Sequence, residues 1–177
     1  MDRYNKWASR KYSLKVRILT TLPAGLILLG VIPYILVLPL RKLDGVLGLL
    51  SFYFGWPNML VGGALIVIGG FFALWSVLSQ ILRAEGTPLP MMPTQRLLVD
   101  GPFRYSRNPM TFGALAVYFG ISVLVGSLCA VLAVALIGTL LLVYLRTVEE
   151  KELVARFGQA YVDYCAVTPF FIPKICK

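Results

Sequence analysis

The sequence predicts an all-α integral membrane protein with about four transmembrane helices. Three observations carry that expectation. The chain of 177 residues is 58% hydrophobic, with a mean hydropathy of +0.79. Only 14% of its residues are charged, against about 25% in soluble domains. Its apolar residues are gathered into runs close to the roughly 20 residues that cross a bilayer. A single membrane domain is expected over residues 1–177: a basic amphipathic arm (1–17), two spans (18–82), and a C-terminal region (83–177) that carries the motifs.

The arm sets Arg3, Lys6, Arg10, Lys11, Lys15 and Arg17 among Tyr4, Trp7 and Tyr12, a pattern suited to anionic lipid surfaces. The first span, about 18–40, lies between Arg17 and Arg41-Lys42. It is too long for a signal peptide and lacks a small-residue cleavage site. Residues 45–56 (GVLGLLSFYFGW) are apolar but short. They are expected as a fifth element, interfacial or re-entrant, with Trp56 at the headgroups.

The second span, about 59–82, contains Gly62-Gly63 and Gly69-Gly70, which permit close helix contact. Packing within the monomer is the expected use, and no oligomer is indicated. Spans three and four fill 110–145 with a break near Gly126-Ser127. Beyond them FGQAYVDYCAVTPFFIP predicts an amphipathic helix ended by Pro169. Its aromatics (Phe157, Tyr161, Tyr164, Phe170, Phe171) are either a lid over a site or interface anchors.

Lysine and arginine set the orientation. With an even number of spans, 15 of the 17 fall on the side of the termini and two, Arg41 and Lys42, on the other. The positive-inside rule then places both termini in the cytoplasm, and this topology accounts for the net charge of +9 without nucleic acid. The chain has no histidine, which removes imidazole as base or ligand. Cys129, Cys165 and Cys176 lack CxxC spacing, so neither a metal site nor a disulfide framework is expected.

The polar constellation lies at the feet of the last two spans. Pro88, Pro90 and Pro93 forbid a continuous helix after span two. Leu97, Leu98 and Val99 lead to the turn signal Asp100-Gly101-Pro102. Then comes Phe103-Arg104-Tyr105-Ser106-Arg107-Asn108-Pro109, with Asn108 placed to cap span three and Pro109 to open it. A helix N-terminus beside Arg107 is an anion site in waiting. At the far foot, Glu149 and Glu150 fall within a turn of the membrane edge, and one of them is expected to face the bundle. Glu152 is assigned to an ion pair with Arg156 at i+4.

These segments resemble the isoprenylcysteine carboxyl methyltransferase family and its bacterial and phospholipid methyltransferase relatives. The likeness covers about 86–173, through GTP, LLVDGPFRYSRNP, EE, FGQAYVDY and TPFFIP. The family pattern Arg-His-Pro-x-Tyr-x-Gly reads here as Arg107-Asn108-Pro109-Met110-Thr111-Phe112-Gly113. Asn108 thus stands for the histidine and Thr111 for the tyrosine.

The resemblance implies methyl transfer from S-adenosylmethionine, with S-adenosylhomocysteine as product and no metal. It implies catalytic roles for Arg107, Glu149 and Glu150, and cofactor contacts at Arg107, Asn108, Pro109, Gly113, Glu149 and Glu150. Leu98, Val99, Gly101, Pro102 and Tyr105 are further candidates for walling the adenosine. The cofactor is expected from the cytosol and a lipophilic or lipid-modified acceptor from the bilayer, through oxygen, nitrogen or sulfur. Two other readings stay open at this point: a sterol-reductase-like, NADPH-dependent membrane reductase, and a non-enzymatic membrane scaffold.

Overall fold

The computed structural model describes residues 12–49, 52–88 and 92–174. The arm before Tyr12, Pro90 and Cys176 lie outside the described residues. Ser13 caps α1 (Leu14–Leu26), which passes through a π turn (Ile27–Val31) into α2 (Ile32–Val46). α3 is Trp56–Arg83, α4 Pro109–Val125 and α5 Leu128–Tyr144. A second π turn, Leu145–Glu149, leads into α6 (Glu150–Phe157), and α7 is Gln159–Val167. Among the described residues there is no strand.

Three continuous helical stretches, Leu14–Val46, Trp56–Arg83 and Leu128–Phe157, are long and apolar enough to cross a membrane. Pro109–Val125 is equally apolar but has 17 residues, about 25 Å of helix. Outward-facing side chains such as Leu19, Leu26, Val67, Leu132 and Leu140 are well exposed, the surface a lipid-immersed bundle presents.

The first π turn has a local cause. Pro33 has no N–H and its ring crowds the carbonyl four residues back. In π pairing its missing donor would have met the Leu28 carbonyl, and the Tyr118 hydroxyl of α4 donates to that carbonyl instead. A neighbouring helix thus satisfies a backbone group freed inside an apolar layer.

The tightest packing joins α3 to α4. A Cβ on Gly69 would stand 2.5 Å from the Gly113 carbonyl, and one on Gly62 would stand 2.7 Å from that of Gly120. The two helices therefore meet backbone to backbone at a seven-residue spacing, the repeat of a left-handed crossing. Gly63 and Gly70 face open space. The close approach expected of the glycine pairs thus falls to one member of each, within the monomer.

At one end of the bundle, Gly126 (φ +68) turns the chain between α4 and α5, where the sequence places the break. No fifth helix forms over 45–56 among the described residues. α2 continues to Val46, and residues 47–49 and 52–55 are turn and irregular chain. Gly48 and Gly55 both take positive φ, which stops helix propagation. Tyr53 packs on Gly126, while Val46, Leu47, Phe54 and Trp56 remain well exposed.

Buried Asn58 accepts from the Phe54 N–H (2.8 Å) and donates to the Val123 carbonyl (2.7 Å). Buried Asp44 accepts from the Cys129 N–H (2.9 Å) at the start of α5. At the opposite end Arg17 donates to the Ile81 carbonyl (2.5 Å), closing the last turn of α3.

Candidate functional site

The site is built where the link after α3 meets the C-terminal tail. Gly101 (φ +58) lets the chain turn into a short 3-10 segment, Gly101–Arg104, laid against α3. A Cβ at Gly101 would sit 3.6 Å from both Trp75 Nε1 and Ser79 Oγ. Pro102 is buried, and the Tyr105 ring lies 6.1 Å from that of Trp75. Leu98 is half-buried and Val99 exposed on the approach to this turn.

The next residues tie the tail down. Ser106 Oγ donates to the Phe171 carbonyl (2.7 Å) and accepts from the Asn108 N–H (3.1 Å). The Arg107 N–H donates to the Pro169 carbonyl, and the Lys174 N–H to that of Tyr105, both at 2.9 Å. Asn108 occupies the cap position of α4 but its side chain makes no cap bond. Its amide donates to the Phe170 carbonyl (2.9 Å). Pro109 is the first residue of α4, a position that needs no N–H donor, and the Asn108 side chain serves the tail instead of the cap.

The charged centre follows. The Arg107 side chain is 8% exposed and that of Glu150 17%. Arg107 Nη1 donates to Glu150 Oε1 and to Cys165 Sγ (2.7 Å). Glu150 Oε2 lies 3.6 Å from Arg146 Nε. The Phe170 ring carries both guanidinium groups, with its centroid 5.6 Å from that of Arg107 and 5.1 Å from that of Arg146. Buried Arg107 Nε has no hydrogen-bond partner.

The second π turn sets which acid faces this centre. One extra residue rotates the following face by about 100°, and Glu150, not Glu149, pairs with Arg107. Glu149 is half-buried on the adjoining face. Glu152 lies 3.8 Å from Arg156, the expected i+4 pair, and Arg156 also donates to the Thr94 carbonyl (2.5 Å).

The tail helix, α7, ends just before Pro169, with Thr168 as its C-cap, and is separate from α6. Gly158 (φ +58) parts the two, and α7 ends at Val167. Tyr161 and Tyr164 are buried, and Tyr164 donates to the Phe103 carbonyl (2.5 Å). Burial pushes both phenols above the usual tyrosine range. Cys165 and Glu150 add to that at Tyr161, and Tyr161 adds to it at Tyr164. Of the tail aromatics, Phe170 lies against the Arg107 and Arg146 guanidinium groups, while Phe171 meets Phe112 of α4 edge-on at 5.8 Å.

Arg107, Asn108, Pro109 and Glu150 are thus brought together, while Gly101, Pro102 and Tyr105 form a second group beneath Trp75. Gly113 stands apart: it is buried against Gly69 and Ala73 of α3, where only hydrogen fits. Ser106, Arg146 and Cys165 complete the surroundings beyond the residues sequence reasoning assigned to a site, together with Tyr161 and Phe170 of the tail aromatics. Ser106 and Arg146 adjoin motif residues, whereas Cys165 carries no local signal. A shallow groove of about 390 Å³, lined by Thr139, Leu142, Val143, Arg146, Thr147 and Phe170, climbs α5 from this centre.

The profile of the phospholipid methyltransferase family matches residues 57–160. A curated methanethiol S-methyltransferase from Crocosphaera subtropica is 29% identical over 138 residues, 76% of this chain and 51% of that protein. The chain spans about half the length of that relative. No solved structure matches the chain. The profile match takes in more than half of the chain and both members of the Arg107–Glu150 pair, and by it the chain belongs to the phospholipid methyltransferase family.

Proposed function

We propose that the chain transfers a methyl group from S-adenosylmethionine to a lipophilic acceptor reached from the bilayer. A small thiol is the first acceptor class to test, because the relative is named for methanethiol S-methylation. Isoprenylcysteine-type carboxylates and phospholipid amines follow. The observation that carries the reading is the unpartnered, buried Nε of Arg107 beside a paired carboxylate. A buried charged donor left without an acceptor costs stability, and the cofactor's carboxylate has the charge and geometry to fill it.

The residues present fit such a cofactor. Arg107 holds the carboxylate. Glu150, and Glu149 on the adjoining face, offer acceptors to the ribose or amino group. Asn108 can donate and accept as the family histidine would, though its amide also serves the tail. Gly101, Pro102 and Tyr105, with Leu98 and Val99 at the mouth, wall the adenosine. Gly113 acts through helix packing.

The cofactor supplies an electrophilic sulfonium methyl. The chain supplies orientation and exclusion of water, through Phe170 against the cluster. The groove beside Arg146 gives an apolar acceptor its approach. A carboxylate or thiolate acceptor needs no base. An ammonium acceptor requires proton removal, for which Glu149 or Glu150 is placed.

In the membrane, α4 is the fourth span beside the three longer stretches. Both termini and the site face the cytoplasm by the positive-inside rule. The family match favours methyl transfer over the reductase and scaffold readings.

Calorimetric titration of the detergent-purified protein with S-adenosylhomocysteine tests the proposal. Micromolar binding is expected for the wild type and at least about 100-fold weaker binding for Arg107→Ala, the scale of losing a buried charged pair. Unchanged affinity in Arg107→Ala would remove the assignment. A folded wild type that binds no S-adenosylhomocysteine would overturn the function.

A further inference from the structure

Cys165 has no place in the reading above, yet it is the second partner of the most buried charge in the site. Arg107 Nη1 serves two acceptors, Glu150 Oε1 and Cys165 Sγ, while Nε serves none. An arginine beside a carboxylate normally forks both oxygens with two parallel N–H bonds. Here the fork is not made. The second oxygen of Glu150 is turned to Arg146 at 3.6 Å, and the thiol takes up the donor that remains at Nη1.

Cys165 is held firmly enough to do this. It lies on α7 directly after buried Tyr164 and one turn beyond buried Tyr161. Tyr164 is fixed in turn by the Phe103 carbonyl. The chain of contacts runs from the Gly101–Arg104 turn, through α7, to one face of the guanidinium.

We infer that Cys165 is a positioning residue: its sulfur holds the Arg107 guanidinium out of a bidentate pair with Glu150 and so keeps Nε available to the cofactor's carboxylate. The inference rests on the cofactor reading proposed above. Without the sulfur, Arg107 swings onto both oxygens of Glu150 and the anion site closes. The protein stays folded, because that fork satisfies the buried charge as well as the present arrangement does. The loss is therefore confined to ligands that carry the amino-acid carboxylate.

Two ligands separate this role from a merely structural one. S-adenosylhomocysteine carries the carboxylate, whereas 5'-methylthioadenosine shares the adenosine and thioether but lacks it. Cys165→Ala is expected to weaken S-adenosylhomocysteine binding about tenfold, the scale of a charged hydrogen bond. It should leave 5'-methylthioadenosine binding within about twofold, on the same scale. Cys165→Ser, which restores an acceptor, should recover most of the loss. If the alanine variant does not fold, Cys165→Val fills the volume without an acceptor and carries the same expectation. Equal weakening of both ligands, or no weakening of either, overturns the positioning role while leaving the cofactor site intact. Failure of wild-type protein to bind S-adenosylhomocysteine overturns the underlying reading instead.

Discussion

The two ends of the helix bundle hold buried polar groups in opposite states. At the α4–α5 turn, Asp44 and Asn58 are buried and engaged: Asp44 on the Cys129 N–H, Asn58 on Phe54 and Val123. At the other end the Arg107–Glu150 pair is less deeply buried, and the buried Nε atoms of Arg107 and Arg17 are left without partners. Both ends have the charges that a membrane protein keeps only for a reason. A closed set of hydrogen bonds holds helices together. A buried donor to spare beside a paired carboxylate is what the proposed cofactor site would use. Sequence alone ranks these ends by motif, whereas the structure ranks them by whether the hydrogen-bond accounting closes.

The sharpest way to break this comparison is to disturb the open end without changing its shape. Glu150→Gln keeps an acceptor oxygen for Arg107 but removes the charge. It is expected to weaken S-adenosylhomocysteine binding by about 10–100-fold, since charged hydrogen bonds are roughly twice as strong as neutral ones and the ligand's amino group loses its counter-charge. Titration calorimetry reads the affinity, and a scanning unfolding curve checks the fold. An affinity within twofold of wild type would mean that Glu150 only holds Arg107.

The closed end should answer in the other currency. Asp44→Ala strips an acceptor from the first turn of α5, a change expected to cost about 0.5–2 kcal/mol by analogy with helix caps. It should lower the midpoint of thermal unfolding in detergent while leaving S-adenosylhomocysteine affinity within about twofold, about 0.4 kcal/mol on the same scale. A large affinity loss with unchanged stability would show that the two ends are coupled, and the division between latch and site would fail.

How much of this was legible in the sequence differs by the range of the contact. The break at Gly126-Ser127, the opening of α4 at Pro109 and the Glu152–Arg156 pair are local, and composition within a turn or two announces them. Arg107 and Glu150 were legible as a motif, but which acid of the pair faces inward was not. A π turn decides it, and no residue between Leu145 and Glu149 marks one. The Arg107–Cys165 contact spans 58 positions and the Asp44–Cys129 contact 85, and such pairings exist only once helices are packed. Asp44 did leave a signal, as the sole acid between Arg17 and Arg83. The run at 45–56 has the composition of a membrane-interface element, but Gly48 and Gly55 take positive φ and its described residues form no fifth helix.

The smallest effects test the seam that joins the ends. Gly69 and Gly70 are adjacent, identical in type and both mid-helix, yet only Gly69 faces α4. A methyl at Gly69 would meet the Gly113 carbonyl, the Ala116 side chain and the Val117 nitrogen within 2.9 Å, and backbone cannot yield as a side-chain tip can. Gly69→Ala should therefore destabilise the protein by about 1–3 kcal/mol, the usual range for overpacking. Gly70→Ala meets nothing within 4 Å and reduces the freedom of the unfolded chain. It should stabilise the protein by about 0.5–1 kcal/mol. Thermal unfolding of the two variants in the same detergent should shift in opposite directions. Shifts of one sign would mean that α3 and α4 do not meet along the Gly62–Gly69 face. The path by which α3 presents Trp75 and Ser79 to the turn at Gly101 would then have to be redrawn.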